Sequence, residues 1–492
     1  MNPADFASLL ALRHPDRLFI AGQWVAPARG GAFDMVSPMT EEAYLRIAEA
    51  TEPDMDRAVA AAREAFDNGP WPKLSHAERA DYLRRIAAGL MARAEALGHA
   101  WTQQVGIIHA MGQVNAYGGA GIFNQYAGIA DSFAFEEQHT PGYGGGTALI
   151  VREPVGVVAA IVPWNGPLSL ASLKVAPALL AGCTVVLKAS PEAPLDAYVI
   201  AEIAEEIGLP PGVLNLVTAD RPASEHLVRN PGIDKVSFTG SSAAGRRIAS
   251  ICGERMARFT MELGGKSAAI VLDDMPVEEA VQGLTGSICL MSGQVCAALT
   301  RVVVPRRRHD AFAESFAAAM SALRAGDPYD PASNLGPLAM GRQLDRVLGY
   351  IEKGKAEGAR LAAGGGRPAG LNRGFYVEPT LFVDVDNSMT IAQEEIFGPV
   401  ISLIPAESEE DAVRIANDSV YGLNGAVLTR DRERAYAFAR RMRTGNVSQN
   451  QFRVDTSVTF GGFKQSGVGR EGGVDGLLPY LEAKTIFLDD AA

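Results

Sequence analysis

The sequence has few cysteines and histidines, and neither type is spaced as a metal site or a disulfide framework requires. Four cysteines lie far apart, at positions 183, 252, 289 and 296, and none forms a C-x-x-C pair. The seven histidines contain no H-x-x-x-H or H-E-x-x-H pattern, so we expect no metal site. Scattered thiols of this kind indicate a reducing, cytoplasmic setting.

Excess positive charge and long apolar runs are also missing. The formal net charge of −12 argues against a surface that neutralises nucleic-acid phosphates, although a local basic site for a nucleotide stays compatible with it. The apolar run at residues 155–162 is far shorter than the roughly 20 residues of a membrane span. The first twenty residues carry Asp5, Arg13, Asp16 and Arg17 and do not form a signal peptide. We therefore expect a soluble protein with neither nucleic acid nor membrane as a partner.

The chain does contain enough apolar material for large cores. It has 492 residues, 47% of them hydrophobic, which favours two to four domains. Amphipathic patterns predict one helix near residues 54–66 and another from 75 to about 100, where Ser75 and Glu78 form a capping box. A glycine-rich break at 141–146 precedes an extended run at 147–152. This hairpin is either an arm for a partner subunit or an ordinary surface loop.

From residue 155 onward, continuous apolar strands alternate with helices. The predicted strands are 155–162, 184–187, 213–217, 236–239 and 258–263. This alternation predicts a parallel sheet covered by helices on both faces, with ligands bound at the carboxyl ends of the strands. A second alternating unit begins after Lys266, and its first helix leads to Cys296. The predicted fold class is α/β, with two such units.

Polar residues follow four of the predicted strands of the first unit. The strand termini are Pro163-Trp164-Asn165, Lys188, Phe238-Thr239-Gly240-Ser241 and Glu262-Leu263-Gly264-Gly265. Since the carboxyl ends of parallel strands share one edge, these residues are expected to line one site.

Cys296 is the candidate nucleophile. It follows an apolar segment and a glycine, in Ser292-Gly293-Gln294-Val295-Cys296-Ala297, and glycine permits close backbone approach. The alternative is that Cys296 is a small buried apolar residue, which is common for free cysteines.

Each strand-end residue has a similar pair of interpretations. Glu262 is a general base or a member of a salt bridge, and Asn165 is an oxyanion donor or part of an Asx turn. Lys188 binds a ribose hydroxyl or a phosphate, or it is a solvated strand end. The stretch from Gly240 to Gly245 loosely resembles a dinucleotide fingerprint without its middle glycine, and Ser241 is either at a pyrophosphate or simply a helix N-cap.

Six ordered motifs resemble those of the aldehyde dehydrogenase superfamily over residues 19–487. They are Pro163-Trp164-Asn165, Phe238-Thr239-Gly240-Ser241, Glu262-Leu263-Gly264-Gly265-Lys266, Gly293-Gln294-Val295-Cys296, Glu394-Glu395-Ile396-Phe397-Gly398-Pro399 and Phe460-Gly461-Gly462-Phe463-Lys464-Gln465-Ser466-Gly467.

The resemblance implies a cysteine mechanism. Cys296 would be the nucleophile, Glu262 the base that activates water, and Asn165 the oxyanion donor together with the backbone N–H of Cys296, with Lys174 organising the proton network. The aldehyde would form a thiohemiacetal and then a thioester, with hydride transfer to NAD or NADP. A nearby cationic ring or a lysine is expected to lower the pKa of the thiol.

The resemblance also implies a Rossmann-like cofactor site and a division into domains. It places Lys188 at the adenosine ribose, Ser241 at the pyrophosphate, Glu395 and Phe397 at the nicotinamide end, and Trp164 and Leu263 in the cleft. Residues 1–128 and 151–262 would form the dinucleotide-binding domain, residues 263–474 the catalytic domain, and residues 129–150 and 475–492 a β arm and tail for a homodimer or homotetramer.

Several positions depart from the family pattern. Pro191 stands where many NAD-using members have a glutamate, with Glu192 next, and residues 218–222 lack the glycines common there. Gly166 and Leu173 stand where bulky aromatics are common, which predicts a wide apolar tunnel for bulky hydrophobic aldehydes.

Two other functions remain alternatives at this point. A CoA-acylating enzyme commonly lacks the base glutamate, so Glu262 weighs against it. A non-catalytic member of the family is disfavoured because Cys296, Glu262 and Asn165 are all present.

Overall fold

The computed structural model describes residue 10 and residues 12–489, apart from the side chain of Gln113. The remaining terminal residues, which the sequence assigns to the first domain and to the tail, lie outside this part of the chain. The helices with described bounds are α1 (Glu52–Asp67), α2 (His76–Met91), α3 (Ala94–Val105), α4 (His109–Ile129), α5 (Pro167–Ala181), α6 (Leu195–Glu206), α7 (Arg221–Arg229), α8 (Ser242–Glu254), α9 (Val277–Cys289), α10 (His309–Ser321), α11 (Gly341–Ala356), α12 (Thr390–Gln393), α13 (Glu409–Asn417) and α14 (Arg432–Ala439).

The strands form four sheets. They are β1 (Leu18–Ile20), β2 (Gln23–Val25), β3 (Gly31–Val36), β4 (Ala43–Glu49), β5 (Glu136–His139), β6 (Thr147–Pro154), β7 (Val157–Ile161), β8 (Thr184–Ala189), β9 (Leu214–Thr218), β10 (Lys235–Thr239), β11 (Arg258–Glu262), β12 (Ala268–Val271), β13 (Arg301–Pro305), β14 (Arg360–Ala363), β15 (Thr380–Val383), β16 (Val400–Ala406), β17 (Gly425–Leu428), β18 (Ser448–Gln449), β19 (Gly467–Val468) and β20 (Leu481–Leu488).

The first sheet has the order β19-β11-β10-β7-β8-β9-β1-β2. Its five central strands, from β11 to β9, run parallel, and the outer strands pair antiparallel. Along β7, Val157, Ala159 and Ile161 pack in one core with α1, while Val158 and Ala160 pack in another with α5. The prediction of a parallel sheet covered on both faces is confirmed.

The second sheet has the order β14-β15-β16-β13-β12-β17-β18, and all its neighbouring strands run parallel except β14 with β15. Its strands β12, β15 and β17 are buried over their whole length, as expected of a sheet covered by helices. The mixed α/β class with two parallel sheets is therefore confirmed. Strand β19, from the segment that the sequence assigns to the second domain, joins the first sheet.

The third sheet contains the predicted hairpin arm. Strands β5 and β6 pair antiparallel across the glycine turn, where Gly144, Gly145 and Gly146 all have positive φ. Strand β20 pairs with β6 over eight residue pairs within the same chain. The hairpin and the C-terminal strand thus form one three-stranded unit.

Two helices in the first 130 residues differ from the sequence predictions. The single helix predicted over residues 75 to about 100 is two helices, α2 and α3, although the capping box of Ser75 and Glu78 is present. At the break, the guanidinium of Arg93 donates to both carboxylate oxygens of Glu206, 2.7 and 2.8 Å away. Helix α4 was not predicted, because its five glycines are poor helix formers.

Candidate active site

The edges of the two large sheets meet at the site. Glu262, Gly240, Asn165 and Lys188 end or follow β11, β10, β7 and β8, which are neighbours in that order. The segment that carries Cys296 arrives from the other side, just before β13 of the second sheet. The expectation that the strand-end residues share one edge is therefore confirmed. Cys296, the candidate nucleophile, comes from the amino end of the opposite sheet.

Residues 291–297 carry the candidate Cys296 and are called the nucleophile loop. This loop has a constrained backbone. Met291 and Ser292 have φ of 51° and 53°, a left-handed conformation that costs free energy in residues other than glycine. Gly293 has a φ of +74°, and a Cβ there would lie 2.3 Å from the carbonyl carbon of Gly398. The side chain of Gln294 accepts from the N–H of Ala339 at 2.9 Å and donates to the carbonyl of Met291 at 3.1 Å. These contacts fix the loop.

The Cys296 thiol is half-buried. Burial raises the pKa of Cys296 to about 12, and the carboxylates of Glu395 and Glu262 raise it as well. Within the described chain the charged groups that act on the thiol are these two carboxylates and no lysine is among them, while the effect of a cationic ring stays a prediction. A thiolate needs an added positive charge or a base here.

Asn165 faces the nucleophile loop. Its side-chain N–H donates to the carbonyl of Gln294 at 3.0 Å, two residues before Cys296. Its own backbone carbonyl accepts from the indole of Trp101 at 2.9 Å. One N–H of the amide is thus used to hold the loop, and an amide has two such donors.

Glu262 is buried at the end of β11. Within the described part of the chain neither carboxylate oxygen has a hydrogen-bond partner. Burial raises the pKa of Glu262 well above its ordinary value and Glu471 raises it further, while Lys174 and Arg470 act in the opposite direction. A carboxyl with a raised pKa and free oxygens is suited to accept a proton from water.

Glu471 is a site residue that the sequence reasoning missed. It is 2% exposed and accepts a hydrogen bond from the amine of Lys174, which is fully buried in α5. The sequence could have pointed to Glu471, because it lies four residues after Gly467, the end of the last recognised motif. Both members of this ion pair affect the pKa of Glu262, which Lys174 lowers and Glu471 raises.

The predicted cofactor residues occupy the same edge. Burial lowers the pKa of Lys188 to about 8 against the influence of Glu192 and Asp220, and its amine contacts the carbonyl of Ala219 at 3.4 Å. Ser241 is the N-cap of α8, where its hydroxyl accepts from the N–H of Ala244 at 3.3 Å. A Cβ at Gly245 would lie 2.4 Å from the Leu263 side chain, so glycine permits close packing of α8 on the sheet.

Glu395 acts on the Cys296 thiol, and Phe397, two residues further on, contacts Trp164. Glu395 accepts a hydrogen bond from the N–H of Gly265 at 3.1 Å, and burial raises its pKa to about 7. The ring of Phe397 meets that of Trp164 edge-on, with centroids 5.4 Å apart. Phe397 also has a φ of 62°, so its backbone is held in a strained conformation.

Glu192, one position after Pro191, lies near Lys188. It accepts hydrogen bonds from Ser190 and Arg342, which together hold the pKa of this carboxyl below its usual range although burial acts to raise it. An ionised carboxylate, that of Glu192, therefore lies next to Pro191, which stands where many NAD-using members have a glutamate.

Neither a metal cluster nor a membrane helix is found in residues 10 and 12–489. No group of three or more His, Cys, Asp or Glu side chains there is arranged to hold a metal ion. No described helix is both long and apolar enough to span a bilayer.

Comparisons with known proteins agree with this geometry. The profile of the Aldehyde dehydrogenase family matches residues 24–486. Geranial dehydrogenase of Castellaniella defragrans is 45% identical, over 96% of this chain and 98% of that protein.

Two solved structures are similar to this chain. An aldehyde dehydrogenase of Mycobacterium tuberculosis complexed with NAD+ has a TM-score of 0.94 and 44% identity, covering 96% of this chain and 98% of that chain. A mutant of aldehyde dehydrogenase C of Pseudomonas syringae, complexed with NAD+ and octanal, has a TM-score of 0.92 and 40% identity, covering 96% of each chain. The chain belongs to the aldehyde dehydrogenase family.

Proposed function

We propose that this protein oxidises a bulky, apolar aldehyde to the carboxylic acid with NAD as the electron acceptor. The observation that carries the proposal is the meeting of Cys296, Asn165 and Glu262 between the two sheets, with Glu262 close enough to affect the pKa of the Cys296 thiol. A nucleophile, an amide donor and a base are the three groups that a thioester route requires.

In the acylation half, the Cys296 thiol loses its proton to solvent water, and the thiolate sulfur attacks the aldehyde carbon. The oxygen becomes an oxyanion, and its donors would be the second N–H of the Asn165 amide and the backbone N–H of Cys296. The first N–H of Asn165 is bonded to the Gln294 carbonyl, which fixes the direction of the amide. Preorganised neutral donors of this kind stabilise a transient anion more than they stabilise the uncharged aldehyde.

In the deacylation half, Glu262 takes a proton from the water that attacks the thioester. Its free, buried oxygens and its raised pKa suit a base that works near neutral pH. The ion pair of Lys174 and Glu471 beside it offers a route by which that proton leaves. The products are the acid and the free thiol.

The residues at the sheet edge fit a dinucleotide. The 13-residue helix α8 begins beside Gly240 and Ser241 and would hold a diphosphate with its N-terminal N–H groups. The Lys188 amine would donate to ribose hydroxyls near the adenine, and the Glu395 carboxylate would accept from those near the nicotinamide. A bound NAD would supply the acceptor for the hydride and a positive charge that favours the Cys296 thiolate.

Glu192 supports NAD over NADP. An ionised carboxylate close to Lys188 would repel a 2′-phosphate and accept a hydrogen bond from a 2′-hydroxyl. A lower KM for NADP than for NAD would contradict this assignment.

The apolar substrate is supported by the space next to Asn165. A Cβ at Gly166 would have only the Leu170 side chain within 4 Å, at 3.6 Å, so this position leaves room that an aromatic side chain would fill. The named aldehydes of two similar proteins, geranial and octanal, are apolar too. Equal or better turnover of acetaldehyde than of long or cyclic aldehydes would overturn the proposal.

The decisive experiment measures absorbance at the reduced-nicotinamide band with a panel of aldehydes, with each cofactor, and with and without coenzyme A. We expect NADH formation without coenzyme A. A strict requirement for coenzyme A would favour the acylating reaction, and no signal under any condition would favour a non-catalytic member.

We also propose that the three-stranded unit joins subunits into a homodimer or homotetramer in the cytoplasm. Tyr143 at the hairpin tip is 94% exposed and Phe487 on β20 is 72% exposed, and exposed aromatics of this kind are typical of interaction surfaces. A monomer by light scattering would contradict the assembly.

A further inference from the structure

A small polar cavity lies behind the nucleophile loop, at the amino end of the second sheet. Lys266 and Ser267 precede β12, and Asn424 precedes β17. These two strands pair with Ala268 opposite Gly425, so the residues before them are neighbours. The loop that carries Cys296 precedes β13, the other neighbour of β12.

Four of the residues that line the cavity have a buried polar atom without a hydrogen-bond partner within the described chain. They are Lys266 Nζ, Ser267 Oγ, Asn424 Oδ1 and Thr444 Oγ1. Lys266, Ser267 and Asn424 are each at least nine-tenths buried. Because a buried polar group without a partner costs about 1–3 kcal/mol, four of them around one cavity indicate a shared ligand.

The size and the chemistry of the cavity indicate which ligand it binds. The space open to the centre of a water molecule is about 10 Å³, which is close to what one water needs. The four atoms include a donor, an acceptor and two hydroxyls that do both, and water matches such a mixed set. The wall also carries Arg301 and Arg443 and, among the described residues, no carboxylate, which disfavours a metal cation.

The protonation state of the lysine agrees with a neutral ligand. Burial lowers the pKa of Lys266 to about 7 and Arg301 lowers it further, while Glu395 and Glu394 act in the opposite direction. Four of the five N–H donors of the Arg301 guanidinium go to the carbonyls of Lys266, Ile415 and Ala416 and to the side chain of Asn387. Arg301 therefore mainly supports the backbone next to the cavity.

Asn424 connects the cavity to the nucleophile. Its side-chain N–H donates to the carbonyl of Ala297 at 3.1 Å, directly after Cys296. On the other side of the loop, a Cβ at Gly265 would lie 2.3 Å from the carbonyl oxygen of Cys296. We propose that the cavity binds one internal water that bridges Lys266 Nζ to Asn424 Oδ1. Through this water, Lys266 is a positioning residue for the nucleophile loop.

The first test is a crystal structure of the wild-type protein. We expect one water-sized peak of electron density within about 3.2 Å of both Lys266 Nζ and Asn424 Oδ1. A direct hydrogen bond between the two side chains, or density with the scattering of a heavier ion, would overturn the proposal. This readout is independent of the proposed function.

The second test is kinetic and rests on the proposed function. Lys266→Met should lower kcat about tenfold, the effect of losing about 1.4 kcal/mol from hydrogen bonds that hold the loop, with KM for the aldehyde changed less than about twofold. Lys266→Gln, which keeps a polar terminus, should recover part of kcat. Ser333→Ala removes another buried hydroxyl without a described partner, away from the cavity, and should leave kcat unchanged.

If Lys266→Met does not fold, the nearly isosteric Thr444→Val removes one partner of the water and should lower kcat by a smaller factor. Unchanged kcat in a folded Lys266→Met or Thr444→Val variant would refute the positioning role. Absence of aldehyde turnover by the wild-type protein would refute the proposed function and leave the crystallographic result standing.

Discussion

The amine of Lys174 donates a hydrogen bond to the carboxylate of Glu471, 297 residues further along the chain, and neither side chain is more than 3% exposed. Both partners act on the pKa of Glu262. The pKa of the proposed base is thus adjusted by an ion pair that joins the helix after β7 to the C-terminal segment of the chain.

Lys174→Met should destabilise the protein and shift its pH profile. Removing one partner of a buried ion pair costs about 3–5 kcal/mol, because the other charge stays buried and unpaired. Lys174 lowers the pKa of Glu262, so its loss should move the rise of hydrolytic turnover to higher pH. Thermal unfolding and the pH dependence of kcat measure the two effects. The double variant Lys174→Met with Glu471→Gln should regain stability, and a double variant as unstable as the single one would contradict the ion-pair account.

Glu262→Gln should leave a burst of NADH and stall steady-state turnover, because only deacylation needs the base. In the wild-type protein, deacylation should rise with pH as Glu262, whose pKa is raised, loses its proton.

The folded state holds this proton more tightly than the unfolded state, so the contribution of Glu262 to stability falls as pH rises. The variant should therefore gain stability relative to the wild-type protein at high pH. Stopped-flow absorbance and unfolding curves check both results, and unchanged steady-state turnover would remove Glu262 from the mechanism.

Gly166→Phe should narrow the substrate tunnel. Gly166 has a φ of −129°, which any residue adopts, and the space at its Cβ is open apart from Leu170. We expect kcat/KM to fall by about tenfold or more for long or cyclic aldehydes and to change little for acetaldehyde, since a pocket discriminates by steric exclusion. A parallel loss for both substrate classes would point to damage of the loop at Asn165.

Alkylation of Cys296 by iodoacetamide should be slow near neutral pH and should accelerate steadily toward pH 10, because only the thiolate reacts and burial raises the pKa of Cys296 to about 12. Glu395→Gln should speed the reaction by removing a carboxylate that raises this pKa. Mass spectrometry of the Cys296 peptide, in a Cys289→Ala background, measures the rate. A rate that does not change between pH 6 and pH 9 would contradict the raised pKa.

Gly265→Ala should disrupt the nucleophile loop. The added Cβ would lie 2.3 Å from the carbonyl oxygen of Cys296, so the backbone must shift, and we expect a loss of about 1–3 kcal/mol in stability together with a lower kcat. Gly349→Ala in α11 is the matched control, since a Cβ there meets nothing within 4 Å and replaces a poor helix former. Equal effects of the two substitutions would contradict the steric account.

Local pattern in the sequence was sufficient to predict the parallel strands of the first sheet and to group the candidate site residues. The continuous apolar strand β7 reads clearly because both faces of a parallel sheet are buried. Residues at the ends of neighbouring strands, such as Asn165 and Glu262, could be grouped because topology brings parallel strand ends together. The break between α2 and α3 could not be read in this way, since the contact of Arg93 with Glu206 joins positions 113 residues apart.

The sequence by itself determined the α/β architecture, because short-range periodicity carries it, and its ordered motifs supplied the candidates for nucleophile, base and amide donor. Only the tertiary structure decided the electrostatics. Burial and the carboxylates of Glu395 and Glu262 raise the pKa of Cys296, Glu471 pairs with Lys174, and Lys266 faces a cavity with Asn424. These properties depend on which groups meet and on how much water is excluded from them, and folding alone sets both.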